Sequence, residues 1–282
     1  MRSLRTLAVS LSAALVLTGC WTTPGDPTDA PSPSGSSPSG SSTPSETVPP
    51  DPGPRPKVGE CHALSFGQAV AVVGRTGPVS CRRRHTAQTY FVGRLELETA
   101  SGHTRRVDSR AAQRQARTTC TSRLPRHLGL TSRELRLTMA QAVWFTPSPK
   151  RAEAGADWFR CDVVAVAGPK KLLSLTRRTK GWGDAPVLAM CATAAPGTRA
   201  FRRVSCGATH AWLAVSTVDL AGRTLPRQPA IADRMESVCR DAARSRADDP
   251  LDFTWSQESP TKEQWDAGRR YGICWVPRRS TT

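Results

Sequence analysis

The sequence predicts an α+β protein: two related, disulfide-stapled units, each a small, mostly antiparallel sheet with one packed helix. Three observations predict it. Val79-Ser80-Cys81, with His85 four residues past the cysteine, recurs as Val204-Ser205-Cys206 with His210 at the same offset. A strand-like run follows each copy, at residues 89–97 and 212–220. The cysteines divide evenly, with Cys61, Cys81, Cys120 and Cys161 in one unit and Cys191, Cys206, Cys239 and Cys274 in the other. Internal self-similarity of this kind decides a fold reading before any single element does.

The N-terminus reads as an address. Arg2 and Arg5 precede an apolar run over residues 7–16, too short to span a bilayer comfortably. It ends in Leu17-Thr18-Gly19-Cys20, which resembles the lipobox of bacterial lipoproteins. That resemblance implies a signal peptide over 1–19 and a diacylglyceryl group on the Cys20 thiol. Two acyl chains hold a protein on a membrane far better than one. No later segment is long and apolar enough to cross a bilayer, so the remainder is expected on the outer face of the cell membrane.

Residues 20–56 are rich in Pro, Ser, Thr and Gly and nearly devoid of apolar side chains. Such a segment cannot bury enough surface to offset the entropy of ordering. It reads as a tether, roughly 33 Å long as a flexible coil and about 110 Å if fully extended.

The first unit is expected over 57–167. Ala112, Ala116, Cys120 and Leu124 lie four apart on one helical face, with Asp108 or Ser109 as the cap and Pro125 as the stop. Phe159, Cys161, Val163 and Ala165 alternate as in a terminal strand. A basic linker follows over 168–183, where Lys170, Lys171, Arg177, Arg178 and Lys180 bracket three leucines; the simplest reading is a solvated connection. The second unit is expected over 184–282. Its helix aligns Ile231, Met235, Cys239 and Ala242, with Pro229 near the start and Asp233 in the first turn, and its terminal strand runs around Cys274.

With Cys20 set aside, eight cysteines in an oxidising setting read as disulfides rather than metal ligands or nucleophiles. Four cysteines allow three connectivities, and spacing alone does not choose. The expected pairs are Cys61–Cys81, Cys120–Cys161, Cys191–Cys206 and Cys239–Cys274, in which a helix cysteine staples its helix to the last strand.

Before each fourth cysteine lies a further shared pattern. Trp144 leads through Pro147 and Pro149 to Gly155, and Trp255 leads through Pro260-Thr261 and Trp265 to Gly268. Here the chain resembles the septum formation family of actinobacterial extracytoplasmic domains. Val58-Gly59-Glu60-Cys61 matches that family's Val-Gly-Asp-Cys start with Glu for Asp. Cys81 and His85 match the middle, and Pro260-Thr261, Trp265, Gly268 and Cys274 match the end. Asp184 to Cys191 lacks the Val-Gly start, and Pro149-Lys150 lacks the threonine and the spaced tryptophan. The resemblance implies an envelope domain associated with septum formation and no defined chemical activity.

No catalytic motif stands out: there is no nucleophile elbow, no metalloprotease helix and no phosphate-cradling glycine loop. His85 and His210 recur with the turn that follows each second cysteine, so a turn-closing role is expected for both. His62, His103 and His127 have no counterparts and carry no assignment. The tryptophans near the terminal strands are expected in the core. The net charge of +17, carried mostly by arginine, attracts anionic partners, although a GC-rich genome also yields arginine.

The functional expectation is therefore a lipid-anchored, non-catalytic binding or scaffolding protein of the envelope, serving septum formation or wall assembly, with no cofactor and no metal. Candidate partners are the membrane, anionic lipid or cell-wall polymer, and divisome or other envelope proteins; nucleic acid is not expected. The alternatives are a wall-acting hydrolase or transferase, which needs an acid or base of perturbed pKa in a cleft, and an extracytoplasmic sensor for a membrane signalling partner.

Overall fold

Each half threads its strands in the same order around its own cysteines. The computed structural model describes residues 51–175, 178–183 and 185–278. The expected signal peptide, Cys20, most of the expected tether, Arg177 and Asp184 lie outside the described residues. The first half comprises β1 (Cys61–His62), α1 (Phe66–Ala69), β2 (Ala87–Arg94), α2 (Arg110–Leu128), α3 (Ser132–Leu135), β3 (Ala140–Phe145), α4 (Pro149–Glu153), β4 (Trp158–Gly168) and β5 (Lys171–Leu172). The second comprises β6 (Met190–Ala192), β7 (Arg203–Ser205), β8 (Trp212–Asp219), α5 (Gln228–Arg244), β9 (Ser256–Glu258), α6 (Lys262–Asp266) and β10 (Tyr271–Pro277).

The sheet orders are β1-β2-β4-β3, with β5 on β4, and β7-β6-β8-β10-β9. Every pairing between these strands is antiparallel. The α+β class with two stapled sheets therefore holds. The correspondence extends to register. Thr89 faces Asp162 and Phe91 faces Cys161, with an extra residue between them; Ala214 faces Trp275 and Ser216 faces Cys274, again with one extra. A β-bulge thus sits beside the fourth cysteine of each half. Bulges bend a strand and re-aim the neighbouring side chains.

The long helices pack on these sheets through one face. In α2 the Ser109 hydroxyl accepts from the Ala112 amide, and Ala112, Ala116, Cys120, Leu124 and Leu128 are buried. Pro125 does not stop the helix. It lies inside the last turn, where its missing N–H costs one bond, while Leu124 and Leu128 anchor the turn around it. The true stop is Gly129, whose φ of 75° suits glycine. In α5 the buried face is Ile231, Met235, Cys239 and Ala243; Ala242 sits one step to the side, and Asp233 lies beyond the first turn because the helix starts at Gln228.

Short helices precede both terminal strands. Ser148 caps α4 and Thr261 caps α6 through their hydroxyls. Gly155 (φ 97°) and Gly268 (φ 98°) then reverse the chain into β4 and β10.

The connecting segment is not solvated. Lys171–Leu172 adds to β4, Leu175 exchanges both backbone hydrogen bonds with His85, and Leu175, Thr179 and Trp182 are buried. Its leucines bury against the first sheet, and that apolar gain outweighs solvating the lysines, which remain exposed.

The two halves share a core. The Met139 amide donates to the Leu188 carbonyl (2.7 Å) and the Met190 amide to the Leu137 carbonyl (2.9 Å). Leu137, Met139 and Val166 pack with Met190, Ala192, Ala214, Ile273 and Trp275.

Candidate functional site

The eight cysteines among the described residues form four disulfides. Cys61 joins Cys81, Cys120 joins Cys161, Cys191 joins Cys206 and Cys239 joins Cys274, with Cα separations of 5.3, 5.3, 4.9 and 5.0 Å. The second and fourth tie α2 to β4 and α5 to β10. Cys20 lies outside the described residues.

The repeat histidines make the same contact. His85 Nδ1 donates to the Arg83 carbonyl (2.9 Å) and His210 Nδ1 to the Ala208 carbonyl (2.8 Å), each two residues back. Their surroundings differ. His85 is sealed under the Leu175 segment. His210 is half-buried and borders an open cavity of about 740 Å³ floored by Leu213, Ala243 and Val276.

A histidine without a counterpart in the repeat links the strands of the first half. His62 is fully buried, its Nδ1 3.3 Å from the Gly77 carbonyl and its Nε2 3.2 Å from Thr89 Oγ1. The Thr89 hydroxyl donates to Asp162 Oδ1 (2.7 Å). Asp162 Oδ2 lies 3.2 Å from Arg160 Nε. The chain His62–Thr89–Asp162–Arg160 therefore runs across β1, β2 and β4 on the face opposite α2.

Burial sets its protonation. The Asp162 carboxyl is pushed up to about 6, because desolvation outweighs the attraction of Arg160 and the Thr89 hydrogen bond. His62 is pushed down to about 4, chiefly by desolvation and by repulsion from Arg160, against the pull of the Gly77 and Thr76 carbonyls. At neutral pH the set is a neutral imidazole, a carboxylate and a guanidinium. A neutral imidazole carries one N–H, so His62 donates either to the Gly77 carbonyl or to Thr89 Oγ1 and not to both.

Arg160 reaches beyond this chain. Its guanidinium lies over the Phe145 ring, 4.7 Å from the centroid. It lines a cavity of about 190 Å³ together with Arg55, Arg75, Arg151, Trp158 and Glu60. Arg160 and Trp158 are 5 % and 4 % exposed, and Arg160 Nε and Nη2 and Trp158 Nε1 have no hydrogen-bond partner. Arg55 is held by Asp157 (3.2 Å) and donates to the Gly93 carbonyl (3.1 Å).

The second half fills the equivalent face differently. By strand register His62, Thr89, Arg160 and Asp162 correspond to Ala192, Ala214, Ile273 and Trp275, which all belong to the shared core. One topology, with one bulge in one place, thus carries a polar chain in one half and an apolar interface in the other. The available sequence signal was Arg160 and Asp162 flanking Cys161 on an otherwise apolar strand.

Chemically, the arrangement holds a fixed, desolvated guanidinium at the wall of a basic cavity. Asp162 and His62 are themselves 0 % exposed. Residues 58–274 match the family model described as septum formation. No curated protein and no solved structure matches the chain.

Proposed function

Because the chain belongs to the septum formation family, we propose that it is a lipid-anchored protein of the cell envelope that binds or scaffolds, without catalysing a reaction, during septum formation or wall assembly. One observation carries this reading: the matched region runs from just before the first disulfide cysteine to the last, taking in both halves and the core between them. In this reading Cys20 carries the lipid, residues 20–56 form the tether, and the disulfide-stapled body faces outward from the membrane. The anchor raises the local concentration of that body near its targets. The basic surface suits anionic lipid or wall polymer, and divisome or other envelope proteins are the expected protein partners.

The wall-acting alternative needs a titrating group open to substrate. Among the described residues, Asp162 and His62 combine a large perturbation with 0 % exposure, which suits support of a binding wall better than proton transfer.

Crosslinking from the anchored protein in intact dividing cells tests the proposal. Recovery of division or wall-assembly proteins is expected, together with loss of membrane association in Cys20→Ala. A Cys20→Ala protein that stays with membranes, or a crosslinked set free of envelope proteins, would sink it.

A further inference from the structure

We infer that the cavity walled by Arg75, Arg151, Arg160 and Trp158 binds a phosphate group, either free or as the headgroup of a lipid. This inference gives the anionic partner of the envelope role a place on the molecule, and it rests on that reading only for the origin of the ligand.

The first argument comes from the repeat. Burying charge is costly even when it is paired, and apolar replacement of a buried ion pair is often neutral or stabilising. The second half fills the same four positions with Ala192, Ala214, Ile273 and Trp275. The fold therefore has no structural need for the His62–Thr89–Asp162–Arg160 chain. What that chain does accomplish is to hold one guanidinium: Asp162 Oδ2 is its ion-pair partner at 3.2 Å from Nε, and its carbon lies 4.7 Å from the Phe145 ring centroid.

The second argument is the unfilled donors. Buried N–H groups are nearly always hydrogen-bonded. Two side chains lining this cavity, each more than nine-tenths buried, break that rule: Arg160 at Nε, which meets Asp162 only as an ion pair, and at Nη2, and Trp158 at Nε1. Gly74, another wall of the cavity, lies against Nη2, since a Cβ built there would sit 3.5 Å from it. The third argument is charge. Arg75 and Arg151 form no ion pair among the described residues, and Arg55 shares Asp157 with Arg94. Against these stands Glu60, the one carboxylate in the lining. Converging guanidiniums with an indole N–H match the tetrahedral oxygens of a phosphate, which accepts from several donors at once.

The test uses the full chain in dodecyl maltoside micelles, which carry no phosphate. The Trp158 indole N–H resonance, assigned by its loss in Trp158→Phe, is followed while inorganic phosphate is added. A saturable shift is expected. Arg75→Ala with Arg151→Ala should weaken it by at least about tenfold, the scale of one charge-assisted hydrogen bond. Both sites are exposed, so this variant keeps the test independent of folding, which thermal unfolding checks. Glu60→Gln should tighten binding several-fold, an effect a purely structural role would not produce. Adding phosphatidylglycerol to the micelles separates the sources: an indole already shifted before inorganic phosphate is added identifies a headgroup, and an unshifted one identifies free phosphate. No saturable shift, or a shift equally strong in the double arginine variant, overturns the inference and leaves the crosslinking test of the envelope role untouched.

Discussion

Asp162 and His62 titrate in opposite senses within one hydrogen-bonded chain. The Asp162 folded value of about 6 lies above its ordinary 3.8, so the native state binds the proton more tightly and this contribution to stability falls as pH rises toward 6. The His62 folded value of about 4 lies below its ordinary 6.5, so the unfolded state binds more protons. Its contribution rises from pH 4 and is complete above 6.5. Between pH 4 and 6 the two slopes nearly cancel, and the pair should leave the urea midpoint almost flat there. Asp162→Asn removes one slope. Stability of that variant should climb with pH through the window, because the His62 slope is left uncompensated. Urea unfolding at several pH values checks both expectations; a flat profile in the variant would refute the linkage.

At the scale of elements, the recurring device is a helix stapled to the terminal strand of its own sheet. Cys120–Cys161 closes 41 residues and Cys239–Cys274 closes 35. In the chain-entropy account each constrains the unfolded state by about 4 kcal/mol. Cys120→Ala with Cys161→Ala should lower stability by that order, read from denaturant midpoints, with a similar loss for the Cys239 and Cys274 pair. A second prediction tests the equivalence of the halves. Gly155 and Gly268 hold φ of 97° and 98°, and nothing lies within 4 Å of a Cβ at either. Alanine there costs conformational strain alone, about 1 kcal/mol, and the two costs should agree. Markedly unequal values would mean that the turns are not the same device. These turns were legible because glycine and cysteine keep their spacing along the chain, whereas the Ser148 cap emerged only in the structure. The end of α2 was not, because a proline in a last turn loses one hydrogen bond that the buried Leu124 and Leu128 offset.

At the scale of the whole molecule, Trp275 decides cooperativity. It is fully buried, meets Phe201 edge-on at 5.5 Å, and belongs to the cluster that joins Met139 of the first half to Met190 of the second. Removing an aromatic side chain from such a core costs about 3–5 kcal/mol. Calorimetry should show one transition for the parent chain, since neither half closes its apolar surface without the other. Trp275→Ala should lower the midpoint of that transition and raise amide exchange around both Leu137–Met139 and Leu188–Met190. Two resolved transitions in the parent would contradict a shared core. The buried connecting segment belongs to the same scale. Its lysines suggested a solvated passage, but Leu175 and Trp182 are buried, and Leu175 closes the His85 turn.

The sequence by itself determined the duplication, the α+β class and the family, because these depend on residue types at fixed intervals and survive without knowledge of what lies across the fold. Only the tertiary structure decided what covers the second face of each terminal strand. In the first half the chain around α1 and Gly77 closes over Arg160 and Asp162; in the second, the Leu137–Met139 stretch closes over Ile273 and Trp275. Alternation along a strand reveals that there are two faces, but the covering segment comes from far along the chain, and its chemistry sets whether a buried position is a charge or a hydrocarbon.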